Sequence, residues 1–181
     1  MADTNSPLPL AGGAGGGPVE PAPDAPTPSP SREREGNPLR FRDDPVPDEP
    51  AVSLDAFLEQ SNAASVRVEA GDDVRRLAPH LERVRLVEVD FPRFRDGRGF
   101  SSARILREMG YTGEIKATGD VLVDLVFFMR RCGFDSFAPD VPFNHDDVQA
   151  ALTRYPYVYQ DAADPAVPIW RLRHPEYQNN G

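Results

Sequence analysis

The chain of 181 residues carries 29 acids against 20 lysines and arginines, a formal net charge of −9, and a single cysteine. Residues 1–60 hold most of that acidity, with four arginines against eleven acids, so the remainder is close to neutral. A nearly neutral folded part argues against non-specific nucleic-acid binding, the lack of any run of about 20 apolar residues argues against a membrane span, and one cysteine excludes an intrachain disulfide framework.

Residues 1–50 contain twelve prolines and six glycines. Such a stretch buries too little apolar surface to offset its ordering entropy, and it reads as a disordered leader. A single α/β domain is expected over 51–174 and a flexible tail over 175–181. In chain order, Ser53 caps a short helix over 54–60, and 66–69 reads as a strand. Asp72 or Asp73 caps a helix through Leu81, and the branched run 84–90 is the best strand. Ser101 or Ser102 caps the next helix, which Gly110 ends, and 114–118 is a strand. Asp120 caps a helix over 121–132 ended by Gly133, and 134–137 is a strand. Asn144 caps a helix over 145–154, while 157–159 and 169–173 read as short strands.

Strand–helix alternation with short connections predicts repeated βα units and a mainly parallel sheet. Four or five units are too few for a closed eightfold barrel, which leaves an open sheet or a partial barrel. The start of the chain lacks a basic segment followed by an apolar one, so no secretory signal is expected and the cytoplasm is the expected location.

Parallel α/β sheets bind ligands beyond the carboxyl ends of their strands. That rule brings forward the run Phe91 to Ser102, where Arg93, Arg95 and Arg98 surround Asp96, Gly97 and Gly99 between a strand and a helix start. Glycine permits close backbone approach, arginine supplies a planar bidentate donor, and the N–H groups of a helix start favour negative charge. The candidate anion-binding residues are Asp96, Gly97, Arg98, Gly99, Ser101, Ser102 and Arg104. A second strand-to-helix turn contributes Lys116, Gly119 and Asp120. Asp124 and Arg131 support it, as they share a helix face with Asp120 in this reading. The run lacks the Lys-Ser/Thr step of a P-loop and the third glycine of a dinucleotide fingerprint.

A structural reading stands beside each of these. Gly97 turns the chain, Ser101 caps, Arg104 and Arg107 cover a helix face, Asp120 caps, and Lys116 pairs with Glu88 or Glu114. Cys132 has no partner for a dithiol cycle, and His80, His145 and His174 lack zinc spacing, so no metal is expected and no cofactor can be named.

The segments Phe91 to Ser101, Ala103 to Arg107, Gly110 to Glu114, Gly119 to Leu122, Arg130 to Asp135 and Tyr157 to His174 together resemble a bacterial family of unknown function. Its members are usually described as uncharacterised proteins or as oxidoreductases of assimilatory sulfite reduction. The resemblance spans roughly residues 37–174, and the Phe-Pro…Asp-Gly-Arg-Gly run is specific to that family. It implies a cytoplasmic role near sulfite reductase in cysteine synthesis. By position, Asp96, Gly97, Arg98, Gly99, Ser101, Arg104, Gly119, Asp120, Asp124 and Arg131 match its motif. Lys116 stands where the family usually has arginine, and Leu125 where it usually has glutamine. Three readings follow. The chain is an accessory protein of sulfite reduction, itself a candidate oxidoreductase, that holds a small oxyanion or phosphate-bearing ligand. Or it is a non-catalytic partner that docks on sulfite reductase, its electron donor or another sulfate-assimilation protein. Or it is an enzyme acting on a phosphorylated metabolite.

Overall fold

Alternation of branched apolar residues with polar ones makes Leu86–Phe91 the centre of the sheet. The computed structural model describes residues 39–174 except 44, 46, 48, 60 and 61. Of the disordered leader expected over 1–50, residues 1–38 lie outside the described residues, as does the flexible tail expected over 175–181. In chain order the elements are β1 (Leu39–Arg40), β2 (Val52–Ser53), α1 (Leu54–Glu59), β3 (Ser65–Val68), a 3₁₀ helix (Val74–His80), β4 (Leu86–Phe91) and α2 (Arg98–Glu108). Then follow β5 (Glu114–Gly119), a short 3₁₀ turn (Val123–Leu125), α3 (Val126–Cys132), β6 (Ser136–Pro139), α4 (His145–Thr153) and α5 (Ile169–Arg173).

The strands form one six-stranded sheet in the order β1-β6-β5-β4-β3-β2. Strands β2 to β6 are parallel to their neighbours, and β1 runs antiparallel on β6. The sheet ends at β1 and β2 without closing, which makes it an open α/β sheet. Sequence reading started the domain at residue 51, yet Leu39 and Arg40 belong to the sheet, where they pair with Phe137 and Ser136. Two residues carry too little pattern to stand out beside a proline-rich stretch.

Local chemistry explains most boundaries. Ser53 accepts from the Ala56 N–H and so caps α1 (3.3 Å). Asp73 caps the next helix through the Arg75 N–H (3.1 Å), but Pro79 lies inside it, and the segment winds as 3₁₀. Gly133, at φ +106°, ends α3, and the following Phe134 N–H closes back on the Met129 carbonyl (3.1 Å). That bond uses Phe134 in the helix terminus and shifts β6 two residues later than the expected 134–137. Asn144 caps α4 through the Asp146 N–H (2.8 Å). Ile169–Arg173, expected as a strand, is helical behind Pro168, and 157–159 is irregular with Tyr157 and Tyr159 exposed.

The two sheet faces differ. Val66, Val68, Val87, Val89, Phe91, Ile115, Ala117 and Phe137 join helix residues such as Phe57, Leu106 and Met129 in one core. Burying side chains of this size contributes on the order of 1.5–3 kcal/mol each. The opposite face carries a polar row across all six strands: Ser53, Arg67, Glu88, Lys116, Ser136 and Arg40 are successive cross-strand partners. Lys116 Nζ lies 2.9 Å from Glu88 Oε1, and Glu114 accepts from Arg40 and from Ser136 Oγ (2.6 Å). Parallel sheets are usually apolar on both faces, so this row is the fold's departure from pattern.

Candidate anion site at the carboxyl ends of the strands

β4 ends at Phe91, and α2 begins at Arg98 with Gly97 as its N-cap, ahead of the serines expected to cap it. The reason is Asp96. Its carboxylate accepts from the Arg98 N–H (3.1 Å) and so satisfies one of the helix's orphan donors. Ser101 and Ser102 therefore fall inside the first turns. Ser102 Oγ donates to the Arg98 carbonyl (3.2 Å), and Ser101 is exposed.

Asp96 also grips the Arg98 side chain. Arg98 Nε lies 2.9 Å from Oδ1, and NH2 bonds Oδ2. These hydrogen bonds hold the Asp96 carboxyl at about 2, well below the usual carboxylate range. One edge of the guanidinium is thereby committed. NH1 points toward the turn after β3, where a Cβ added to Gly71 would sit 3.6 Å away. The Arg98 side chain is 62 % exposed. A Cβ added at Gly97 would meet nothing within 4 Å, whereas one at Gly99 would sit 2.5 Å from the Phe91 ring. The missing side chain at Gly99 therefore makes room for Phe91.

The second turn is stitched to the first. Gly119 has φ +87°, and a Cβ there would lie 2.5 Å from the Phe91 carbonyl oxygen. The expected helix over 121–132 is divided into the 3₁₀ turn and α3, whose N-caps are Leu122 and Leu125, so Asp120 caps neither. Instead its Oδ2 accepts from the Phe94 N–H (3.0 Å) while its own N–H donates to the Phe91 carbonyl (2.8 Å). The Asp140 N–H bonds the Gly119 carbonyl (2.9 Å), which adds the loop after β6 to the same rim.

The rim thus gathers Gly71, Asp96, Gly97, Arg98, Ser101, Gly119 and Asp120, and other predicted residues lie elsewhere. Lys116 sits three residues before Gly119 on β5, about 10 Å down the strand. Asp124 does not join Asp120; it pairs with Arg154 (2.8 Å). Arg131 pairs with Asp164 (3.2 Å). Arg104 pairs with Glu108 (2.8 Å), and both line a cavity of about 300 Å³ together with Arg107, Ala162 and Ala163.

Sequence reading missed the role of Arg107, which it placed on a helix surface. Arg107 anchors the amino-terminal rim through the carbonyls of Tyr111, Gly113 and Gly133 and through Asp135. The Gly133–Asp135 spacing, directly after a helix, was the available signal. Cys132 is half-buried; burial pushes its thiol pKa up, and Arg104 and Arg131 pull it back. Among the described residues, no group of three His, Cys, Asp or Glu side chains could hold a metal ion, and no helix is long and apolar enough to cross a membrane.

No curated protein and no solved structure matches the chain. Residues 65–170 match the family described as "Bacterial protein of unknown function (DUF934)". The match covers more than half of the 181 residues and runs from the start of β3 into α5, taking in both turns of the rim. The chain therefore belongs to the DUF934 family.

Proposed function

We propose that this protein is a cytoplasmic accessory component of assimilatory sulfite reduction and holds a small oxyanion, sulfite or a phosphate group, at the Asp96–Ser102 turn. The pathway comes from the resemblance set out in the sequence analysis. The observation that carries the binding reading is Arg98, pinned along one edge by Asp96 and exposed at the carboxyl rim of the sheet. A pinned arginine loses little rotamer freedom when it engages a guest, and its outer edge offers NH1 together with the second hydrogen of NH2. Ser101 and the first N–H groups of α2 add donors of the same sense. As an oxidoreductase, the protein would take its electrons from a separate donor.

Calorimetry with sulfite and with inorganic phosphate tests this. Arg98→Ala should weaken binding about 10-fold or more, the range of a charge-assisted hydrogen-bond pair. Affinity unchanged in that variant would defeat the reading. The exposed Arg93 and Arg95 on the same turn favour a second reading, docking on an acidic face of sulfite reductase or its electron donor. That reading fails if the purified proteins form no complex at micromolar concentration and low salt.

A further inference from the structure

Between α4 and α5, residues 154–168 have no regular secondary structure. Within this stretch the Ile169 N–H bonds the Val158 carbonyl (2.8 Å), so residues 158–169 form a loop with joined ends. Most of the bonds that tie the loop's middle to the helices go to Arg131, and a further one joins Asp161 to Arg171 of α5 (3.0 Å). Arg131 of α3 donates from Nε to Asp164 (3.2 Å) and from NH2 to the Gln160 carbonyl, and its own carbonyl accepts from the Ala163 N–H (2.9 Å). Tyr159 and Val167 of the loop are exposed, so little apolar burial backs the latch.

Two features make the closed state conditional. Asp164 Oδ1 is buried with no hydrogen-bond partner among the described residues, a desolvation cost that opening relieves. Ala162 and Ala163 are small and line the cavity of about 300 Å³ beside Arg104, Arg107 and Glu108 instead of filling it. Cys132 directly follows Arg131 at the end of α3 and is half-buried, so the thiol is one residue from the latch.

We propose that residues 158–168 form a strap, latched by Arg131, that opens and closes over the cavity on α2 and over Cys132 while the sheet stays folded. Segments with few buried contacts open at a fraction of the global unfolding free energy. The strap's function is to gate that cavity.

Cys132 is the chain's one cysteine and serves as a built-in reporter. The probe is 5,5′-dithiobis(2-nitrobenzoate), with labelling rates followed against pH to a plateau and against low urea. Asp164→Ala and Arg131→Ala should each raise the plateau rate at least 5-fold, with a urea dependence much shallower than that of global unfolding. A change in thiol acidity alone moves the profile along the pH axis and shifts the plateau by about 3-fold or less per pH unit; that outcome would overturn the proposal. So would a plateau equal to the natural chain's, or a urea slope matching global unfolding. If Arg131→Ala does not fold, Asp164→Ala decides alone, because it changes only the loop side of the latch and leaves α3 unaltered.

Discussion

Arg98 and Arg107 belong to the first and last turns of α2, and they are used in opposite ways. Arg107 is 17 % exposed and spends its donors inside the protein: Nε and NH2 on the Gly133 carbonyl, NH1 on the Tyr111 and Gly113 carbonyls, and NH2 again on Asp135. It closes the amino-terminal rim, where β5 and β6 begin. Arg98 is 62 % exposed, and its ion-pair partner among the described residues, Asp96, lies two residues away. An arginine with every donor satisfied holds a fold together; one held along a single edge at the carboxyl rim of the sheet keeps donors in solvent, as the proposed anion site requires.

The largest test of this contrast is Arg107→Ala. It leaves the Asp135 carboxylate with Arg42 at 3.4 Å and the Ile115 N–H, and removes the Arg107 donors of three carbonyls, of which Gly113 keeps Arg42 at 3.2 Å. Breaking one side of a largely buried charge pair costs about 3–5 kcal/mol. Urea unfolding should report a loss of that size, and a loss under about 1 kcal/mol would erase the distinction between the two rims. Arg107→Lys should fall between, since an ammonium keeps the charge without the fork that reaches both Gly133 and Gly113.

A smaller effect separates backbone from side chain within the carboxyl rim itself. Gly119→Ala places a Cβ against the Phe91 carbonyl at a φ of +87° and should cost about 2 kcal/mol or more. Gly97→Ala, in open space at φ −73°, should stay within about 1 kcal/mol. Equal losses in thermal unfolding would show that the first turn is as tightly built as the second.

The βα order, the parallel sheet and the carboxyl-end location of the Arg98 turn were legible because periodicity and turn residues are local signals. Gly110 and Gly133 ended their helices as read, and Lys116 found Glu88, one of the two acids named for it. What was not legible depended on distant pairing. The Phe94 N–H that recruits Asp120 is 26 residues away in sequence, and the partner of Arg131 is 33 residues away. Asp96 took over the helix start because its carboxylate competes for the first N–H more directly than a serine one turn later. Gly99 looked like a place for a ligand because a sequence does not record that a phenylalanine ring occupies the missing side chain's place. The polar row across the sheet was hidden for the same reason: its members become neighbours only when the register is known.

The smallest expected effect is also the most local. The Asp96 carboxyl, held at about 2 by Arg98, lies below its ordinary value of about 4. A depressed carboxyl pKa contributes stability that is fully present above the ordinary value and is lost as pH falls from about 4 through about 2. Carbon-detected NMR of the Asp96 carboxyl should show its midpoint near 2, and Arg98→Ala should raise it toward the ordinary value but short of it, because the backbone N–H at position 98 still donates to Oδ1. Repeating the titration in phosphate distinguishes two modes of binding. A guest that joins Arg98 on its outer edge adds a negative charge near Asp96 and raises the midpoint modestly, whereas a guest that displaces Asp96 restores it fully. A midpoint that ignores phosphate would mean that the outer edge of Arg98 takes no anion, and Arg98 and Arg107 would then differ in exposure alone.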